Sequence, residues 1–190
     1  MKSLIWVVAA ICMTTTFSPA HAQAPTVFAN TEIKNANGDV MLLGHCNISM
    51  LRQGAFQQWF IPGFNTYQPD TSVAHSLVPL LKNKFIEIFL GTWCGDSRRE
   101  VPRMLKLLEI AGFDIQKVKL IFVNNTAEAY KQSPQHEEAG KNIKRVPTMI
   151  VYENQLEIGR IIEYPVETLE KDLLRILKAE KYVPNYNQLK

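Results

Sequence analysis

The second half of the chain alternates short apolar runs with amphipathic segments. Residues 85–90 and 118–123 are nearly all apolar and rich in β-branched and aromatic side chains, a pattern typical of strands buried on both faces. Between them, residues 97–111 place apolar side chains on one helical face, and Gly112 supplies a natural end. The pattern therefore predicts two parallel strands joined by a crossover helix.

Further elements are predicted after the second strand. They are a polar helical connection, the two strands of an antiparallel hairpin, an amphipathic helix and a loose polar tail: 126–142, 148–152 with 157–162, 166–179 and 181–190. The order from residue 85 is β-α-β-α-β-β-α. It predicts an α/β domain over 85–180 with the hairpin at the sheet edge.

Residues 23–84 are predicted to form an N-terminal extension of short strands and helices. An Asn- and Gly-rich turn signal separates two short candidate strands. Apolar side chains recur at helical spacing over 47–60, and the Pro-Gly pair at 62–63 is expected to end that helix. Thr71 or Asp70 caps a second predicted helix.

The first 22 residues carry the features of a secretory signal. Lys2 precedes an apolar run over 4–13, and Ala20 and Ala22 supply the small residues of a cleavage site before Gln23. The run is short for a bilayer span, so an uncleaved anchor is the weaker alternative. We therefore predict an exported protein, periplasmic or secreted.

Composition narrows the function classes. The chain has 190 residues and a formal net charge of +3, with no basic cluster, which argues against a dedicated nucleic-acid partner. The sequence after the predicted signal has no further apolar run that would indicate a membrane span, so we expect no membrane partner after cleavage. Beyond the signal only Cys46 and Cys94 remain, too few for a disulfide-stapled fold, so a hydrophobic core must stabilise this single domain.

The candidate chemistry centres on Cys94, within G-T-W-C-G-D-S-R-R-E-V-P at 91–102. This cysteine follows a predicted buried strand and precedes a predicted helix, where backbone N–H groups and the helix dipole favour a thiolate. Arg98 can add positive potential, whereas Asp96 opposes it or caps the helix. Both a reactive, accessible thiol and a structural cysteine are compatible with this pattern.

Ser97 is predicted to be a catalytic residue together with Cys94, and Cys46 has two possible roles. The hydroxyl of Ser97 is expected to cap the helix and to hydrogen-bond the Cys94 sulfur. Cys46 reads as a small apolar core residue or as a disulfide partner of Cys94. No ligand spacing supports a metal site, and we expect no cofactor.

A second motif, R-V-P-T at 145–148, places a proline at the opening of a strand, a position that often holds a tight or cis turn. With the strand–cysteine–helix unit, it resembles the thioredoxin-like superfamily over about 85–177. W-C-G-D-S at 93–97 lies on the family's W-C-G-P-C motif, Pro102 lies on its helix-kinking proline, and Val146-Pro147-Thr148 lies on its cis-proline segment. More narrowly, the chain resembles exported thioredoxin family proteins of Bacteroidetes type.

The resemblance implies a three-layer α/β/α sandwich with a mixed central sheet, preceded here by the N-terminal extension. It also implies that Cys94 is the nucleophile. Val146 and Pro147 would position a substrate chain, and Trp93 and Tyr164 would line the groove beside them.

Several positions depart from the family pattern. Asp96 replaces the motif proline, and Ser97 replaces the resolving cysteine. The family's buried acid falls on Ile88, while the neighbouring Glu87 points to the other face of the strand. The family's groove glycine falls near Glu163. Ordinary dithiol cycling within the motif is therefore excluded, because a serine cannot form an S–S bond.

These features predict a monothiol thiol–disulfide oxidoreductase of the disulfide-exchange, isomerase or deglutathionylation type. Its partners would be protein or small-molecule thiols and disulfides, and an external thiol would act as reductant. The alternative is a non-catalytic thioredoxin-fold binding module, in which Trp93, Pro147 and Tyr164 hold a peptide or protein. The sequence gives no indication of the oligomeric state.

Overall fold

A mixed six-stranded sheet forms the centre of the protein. The computed structural model describes residues 31–34 and 37–188. The strands are β1 (Thr31–Lys34), β2 (Val40–His45), β3 (Lys84–Leu90), β4 (Lys119–Phe122), β5 (Thr148–Glu153) and β6 (Leu156–Ile162). Their order across the sheet is β1-β2-β4-β3-β5-β6, and only the β3–β4 pair is parallel. The predicted signal, 1–22, and residues 23–30 lie outside the described part of the chain.

Four α-helices pack on one face of this sheet. They are α1 (Gln57–Thr66), α2 (Thr71–Leu77), α3 (Gly95–Ile110) and α4 (Leu169–Leu177), with short 3₁₀ turns at Ile48–Arg52 and Ile115–Lys117. The buried side chains of all four belong to one core cluster with Leu42, Ile88 and Met149 of the sheet. None of the helices in the described chain has the length and apolar composition needed to cross a bilayer.

The prediction of an α/β fold with a mixed central sheet and an N-terminal extension is confirmed. Strand β3, helix α3 and strand β4 form the expected parallel crossover unit, and β5 and β6 form the expected antiparallel hairpin. The extension contributes β1 and β2 to the same sheet, since β2 pairs with β4 through Gly44 and His45. Of the two predicted capping residues, Asp70 and Thr71, it is Asp70 that caps α2. Its side chain accepts hydrogen bonds from the amides of Ser72 and Val73.

The opposite face of the sheet carries a smaller core cluster of five buried residues, Phe89, Ile121, Val123, Val146 and Ile150. The connection 124–147 covers it and forms the third layer, with Ile143 packed against the cluster. The predicted helix over 126–142 is wrong, because this stretch folds as successive turns. Positive φ angles at Lys131, His136 and Asn142 interrupt any helical run, and Pro134 removes a backbone donor.

The prediction that Pro62 and Gly63 end the first helix is also wrong. Helix α1 continues through both residues to Thr66. Phe60 and Phe64 are buried in the main core, so packing of this face outweighs the missing hydrogen bond at Pro62. Gly63 permits a close approach to α3, since a β-carbon there would lie 3.1 Å from Cβ of Pro102.

The C-terminal tail is packed rather than loose over its described part. The hydroxyl of Tyr182 donates to Oδ2 of Asp172 at 3.1 Å, and Nδ2 of Asn185 donates to the Tyr164 carbonyl at 2.9 Å. These contacts hold the tail against helix α4 and against the loop that joins β6 to α4. The polar composition of the tail gave no signal for this, because each contact pairs residues far apart in sequence or on different elements.

Glu87 is a buried acid on the second face of the sheet, with 3% of its surface exposed. Lys141 and the Tyr152 hydroxyl donate to its Oε2, and Lys119 Nζ lies 3.3 Å from Oε1. Burial by itself would raise the pKa of Glu87, but the two hydrogen bonds and the two ammonium charges outweigh it. The pKa of this carboxyl therefore lies below its usual range.

Acid is expected to weaken the fold through Glu87. A carboxyl with a depressed folded pKa contributes stability above its unfolded value, about 4.3, and loses it as the pH falls through the folded pKa. Glu87→Gln should cost about 1.5–3 kcal/mol at pH 7 and should show a smaller further loss below pH 4. Urea unfolding at pH 7, 5, 4 and 3 measures both.

The exposed Glu153, which pairs with Lys84, supplies the matched control for this experiment. Glu153→Gln should change the free energy of unfolding by about 0–1 kcal/mol at pH 7. Equal costs for the two substitutions would contradict a stabilising role for the buried acid.

Candidate functional site

The junction between β3 and α3 positions the cysteine. Cys94 is the N-cap residue of α3, in extended conformation with φ −85° and ψ 125°. Its amide donates to the Gly91 carbonyl at 2.9 Å, and its own carbonyl accepts from the Arg98 amide at 3.0 Å. The thiol is half-buried and donates to the carbonyl of Val146 at 3.2 Å. The start of α3 and the loop before β5 therefore meet at this sulfur.

That loop contains a cis peptide bond between Val146 and Pro147. Both residues are buried. The Pro147 carbonyl accepts a hydrogen bond from the Glu163 amide at 2.6 Å, which ties the loop to the end of β6. A second hydrogen bond lies across the turn itself, since the Thr148 hydroxyl donates to the Arg145 carbonyl at 2.7 Å.

Trp93 is held next to the cysteine by a backbone partner. Its indole Nε1 donates to the Val123 carbonyl at 2.8 Å, and its ring lies 5.7 Å from the ring of Tyr130. The ring also lies against Gly91, where an added β-carbon would come within 2.5 Å of indole carbon Cε2. A residue with any side chain at position 91 would therefore displace the indole.

Gly91→Ala is expected to destabilise the protein by about 2–4 kcal/mol, since it overpacks this contact and breaks the indole hydrogen bond. Tryptophan fluorescence and urea unfolding measure the change. Gly95→Ala is the control, because a β-carbon at Gly95 meets nothing within 4 Å. If Gly91→Ala leaves both the fluorescence and the stability at the level of this control, the indole is not held as described.

Ser97 lies inside the turn, with 0% of its surface exposed. Its hydroxyl oxygen accepts a hydrogen bond from the Gly91 amide at 3.2 Å. Within the described chain no hydrogen bond joins it to the Cys94 sulfur. The serine thus joins the strand end to the first turn of α3.

The side chains of Asp96 and Arg98 bind partners other than the Cys94 sulfur. Asp96 forms an ion pair with Arg99 at 2.7 Å, and Nε of Arg98 donates to the Thr92 carbonyl at 2.6 Å. Both side chains thus have partners beside the cysteine turn. Two other residues bring positive charge to the loop before β5.

Those other residues come from the turns that cover the second face. Lys131 Nζ donates to the Lys144 carbonyl and lies 4.8 Å from the centre of the Tyr130 ring. Burial and the nearby Arg145 lower the pKa of Lys131, while Glu163 and Cys94 act in the opposite direction. The Lys131 ammonium group is thus held at the loop that contacts the cysteine, two residues before Val146.

Arg145 completes this cationic group. Its guanidinium lies 4.8 Å from the centre of the Tyr186 ring and 3.9 Å from the Glu163 carboxylate. Sequence reasoning quoted Arg145 only as part of a motif and missed Lys131. The run K-R-V-P-T signalled Arg145, which directly precedes Val146 of the cis bond, and the sequence carried no signal for Lys131.

Tyr164 lies one residue beyond Glu163, at the surface. Its ring makes an edge contact with Tyr186 at 6.2 Å, and the two hydroxyls lie 3.4 Å apart. It also borders a groove shared with Tyr67, Arg99 and Arg103. Tyr164 therefore connects the proline loop to a neighbouring polar groove.

Ile88 and Cys46 lie on the helix-covered face. Ile88 belongs to the main core, whereas Glu87 points to the opposite face, as its strand register predicts. Cys46 is 1% exposed and packs in the main core, with its thiol 3.7 Å from the Leu43 carbonyl. Cys94 packs against the other cluster, and no disulfide joins the two.

Over residues 31–34 and 37–188, no group of three or more histidine, cysteine, aspartate or glutamate side chains is arranged to hold a metal ion. The described site offers one half-buried thiol that donates to the Val146 carbonyl, with Lys131 and Arg145 at the loop around that carbonyl.

Comparison with known proteins supports the fold alone. No family model matches the chain, and no curated protein matches it. The 1.5 Å crystal structure of a protein of unknown function, PA1234 from Pseudomonas aeruginosa, is similar, with a TM-score of 0.51 at 12% identity. The similarity covers 71% of this chain and 93% of that one. The two proteins share an α/β architecture.

Proposed function

We propose that this protein is an exported monothiol thiol–disulfide oxidoreductase of the thioredoxin-like superfamily, with Cys94 as its nucleophile. The observation that carries the proposal is the contact between the Cys94 thiol and the Val146 carbonyl, at 3.2 Å and directly before the cis bond to Pro147. A sulfur in that position can meet a second sulfur brought along the loop, because it is half-exposed rather than enclosed in the core.

The helix supports the same proposal. Helix α3 is 16 residues long, and its first amide groups point toward the N-cap residue, which is Cys94. These amides and the positive end of the helix favour a negative charge there, and the thiolate is the reactive form of cysteine.

In the proposed reaction the Cys94 thiolate attacks one sulfur of a substrate disulfide, RS–SR′. The bond between the Cys94 sulfur and SR forms, the S–S bond of the substrate breaks, and R′S⁻ leaves and takes up a proton. An external thiolate, R″S⁻, then attacks the substrate sulfur of the mixed disulfide. This step releases RS–SR″ and restores the Cys94 thiolate.

The external thiol is required because Ser97 cannot perform the second step. Its oxygen is fully buried, accepts from the Gly91 amide and cannot form a disulfide bond. The proposed activity is accordingly exchange between disulfides and free thiols, including isomerisation or removal of a small thiol cap, rather than net reduction by an internal dithiol.

The second candidate is a binding module in which Cys94 is inert. It is favoured by the buried serine at the second sulfur position and by the apolar Ile88 in the core. In that case the surface around Trp93, Pro147 and Tyr164 would hold a peptide or a protein.

Export is part of the proposal and rests on the sequence of residues 1–22. Mass spectrometry of the protein isolated from its own cells should show an N-terminus at Gln23. An intact Met1 in that material would contradict cleavage at this site.

The proposed chemistry is tested on the wild-type protein. Incubation with a disulfide such as bis(2-hydroxyethyl) disulfide should add one mercaptoethanol to Cys94, located by peptide mass spectrometry, and a free thiol should remove it. Cys46 should be labelled only after unfolding, because it is buried. Absence of the adduct at Cys94, or its formation on Cys46 alone, would refute the proposed nucleophile.

A further inference from the structure

Two cations lie at the loop that contacts the candidate nucleophile, since Lys131 donates to the Lys144 carbonyl and Arg145 directly precedes Val146. Lys131 reaches this place by two independent routes. Its Nζ donates to the carbonyl of Lys144, two residues before the carbonyl that accepts from Cys94. Its Nζ also lies over Tyr130, whose ring pairs with that of Trp93. The first route ends two residues before Val146, which contacts the sulfur, and the second ends at Trp93, the residue before Cys94.

The charges around this place are unbalanced. Lys131 has no carboxylate within 4.0 Å among the described residues, although it is partly buried. Arg145 has only a loose ion pair with Glu163, at 3.9 Å. Asp96, the acid closest in sequence to Cys94, is paired with Arg99 at 2.7 Å. Of the two cations, Arg145 alone has a carboxylate within 4.0 Å among the described residues.

We infer that Lys131 and Arg145 select small disulfides that carry acidic groups, such as carboxylates, as substrates for Cys94. The inference rests on the proposed function, since it requires Cys94 to react. A thiolate at Cys94 repels an approaching anion, and the two cations offset that repulsion. The same two cations repel a cationic disulfide, because their charges have the same sign.

Three small disulfides of different charge test this selection. They are 3,3′-dithiodipropionate, bis(2-hydroxyethyl) disulfide and cystamine, which are anionic, neutral and cationic at neutral pH. For each disulfide, the rate of adduct formation at Cys94 is measured. This rate is divided by the rate at which 2-mercaptoethanol reacts with the same disulfide. The normalised rate for the anionic disulfide is then divided by that for the cationic disulfide. This ratio isolates charge selection, because a change in the thiolate fraction of Cys94 alters all rates alike.

The wild-type ratio should exceed one and should fall toward one in 1 M KCl, where screening acts within about 3 Å. Lys131→Met, which keeps the apolar stem over Tyr130, should lower the ratio by about five-fold, and Arg145→Gln should lower it in the same direction. That factor corresponds to ~1 kcal/mol in total, which combines the lost attraction of the anion with the lost repulsion of the cation. Lys131→Arg, which keeps the charge, should retain the preference.

Lys82→Gln is the matched control. This exposed lysine lies just before the start of β3, whereas Cys94 follows the end of that strand. It should leave the ratio unchanged. A wild-type ratio near one, or an unchanged ratio in both Lys131→Met and Arg145→Gln, overturns the inference and leaves the proposed function standing. If no disulfide modifies Cys94, the proposed function fails and the inference fails with it.

Discussion

Replacing Cys94 by serine is expected to reduce disulfide exchange to the rate of the protein-free reaction. A serine hydroxyl is not ionised at neutral pH and cannot form an S–S bond, so no mixed disulfide can form at position 94. The substitution is nearly isosteric, and the hydroxyl can still donate to the Val146 carbonyl. The free energy of unfolding should therefore change by less than about 1 kcal/mol.

The measurement is the rate of thiol release from bis(2-hydroxyethyl) disulfide in the presence of a small thiol, with urea unfolding in parallel. Cys46→Ala is the matched control, because it removes the other cysteine of the described chain from the core. It should lower stability and leave the exchange rate of the folded protein intact.

The same pair of variants separates catalysis from binding. If Cys94→Ser and wild type give equal exchange rates above background, Cys94 is not the nucleophile. If neither protein exceeds background and a partner protein still binds to both, the binding module is the better description.

Replacing Ser97 by cysteine is expected to have the second largest effect. Positions 94 and 97 span the first turn of α3, and Cα atoms three residues apart in a helix are about 5 Å from each other. This separation falls within the range of about 4.4–6.8 Å that disulfides use. The variant should form an internal disulfide on oxidation and should release a mixed disulfide without an external thiol.

The lifetime of the mixed disulfide should fall by at least ~100-fold, because an intramolecular attack has a very high effective concentration. Acid-quenched samples analysed by intact mass give that lifetime. Ser97→Ala is the control, since it removes the same hydrogen bond to the Gly91 amide without adding a sulfur. It should lose about 1 kcal/mol of stability and retain the long-lived adduct. A mixed disulfide in Ser97→Cys that lasts as long as in wild type would show that position 97 cannot reach the sulfur.

The strands and the crossover helix could be predicted because local composition decides them. The runs at 85–90 and 118–123 are apolar on both faces, and each became a strand between two packed layers. Tight turns were equally local, since Asn154 and Gln155 adopt positive φ at the hairpin and Gly112 does so after α3.

The elements that sequence reasoning misjudged depend on distant partners. Pro62 predicts a helix end, but burial of Phe60 and Phe64 beside α3 carries α1 past it. The stretch 126–142 is polar enough for a surface helix. It instead folds as turns, and from them Lys141 reaches Glu87 while Lys131 reaches the loop before β5.

The sequence by itself determined where the candidate nucleophile lies, between a buried strand and a helix, because that placement depends only on the order of neighbouring segments. It also determined that position 97 cannot supply a second sulfur and that Glu87 and Ile88 point to opposite faces. Only the tertiary structure decided the thiol's surroundings. Lys131 and Arg145 come from a polar connection and from the loop before β5, and the packing of that connection on the second face brings Lys131 to the loop that contacts Cys94. A local pattern cannot show such a meeting, because it depends on contacts between residues about 40 to 50 positions apart.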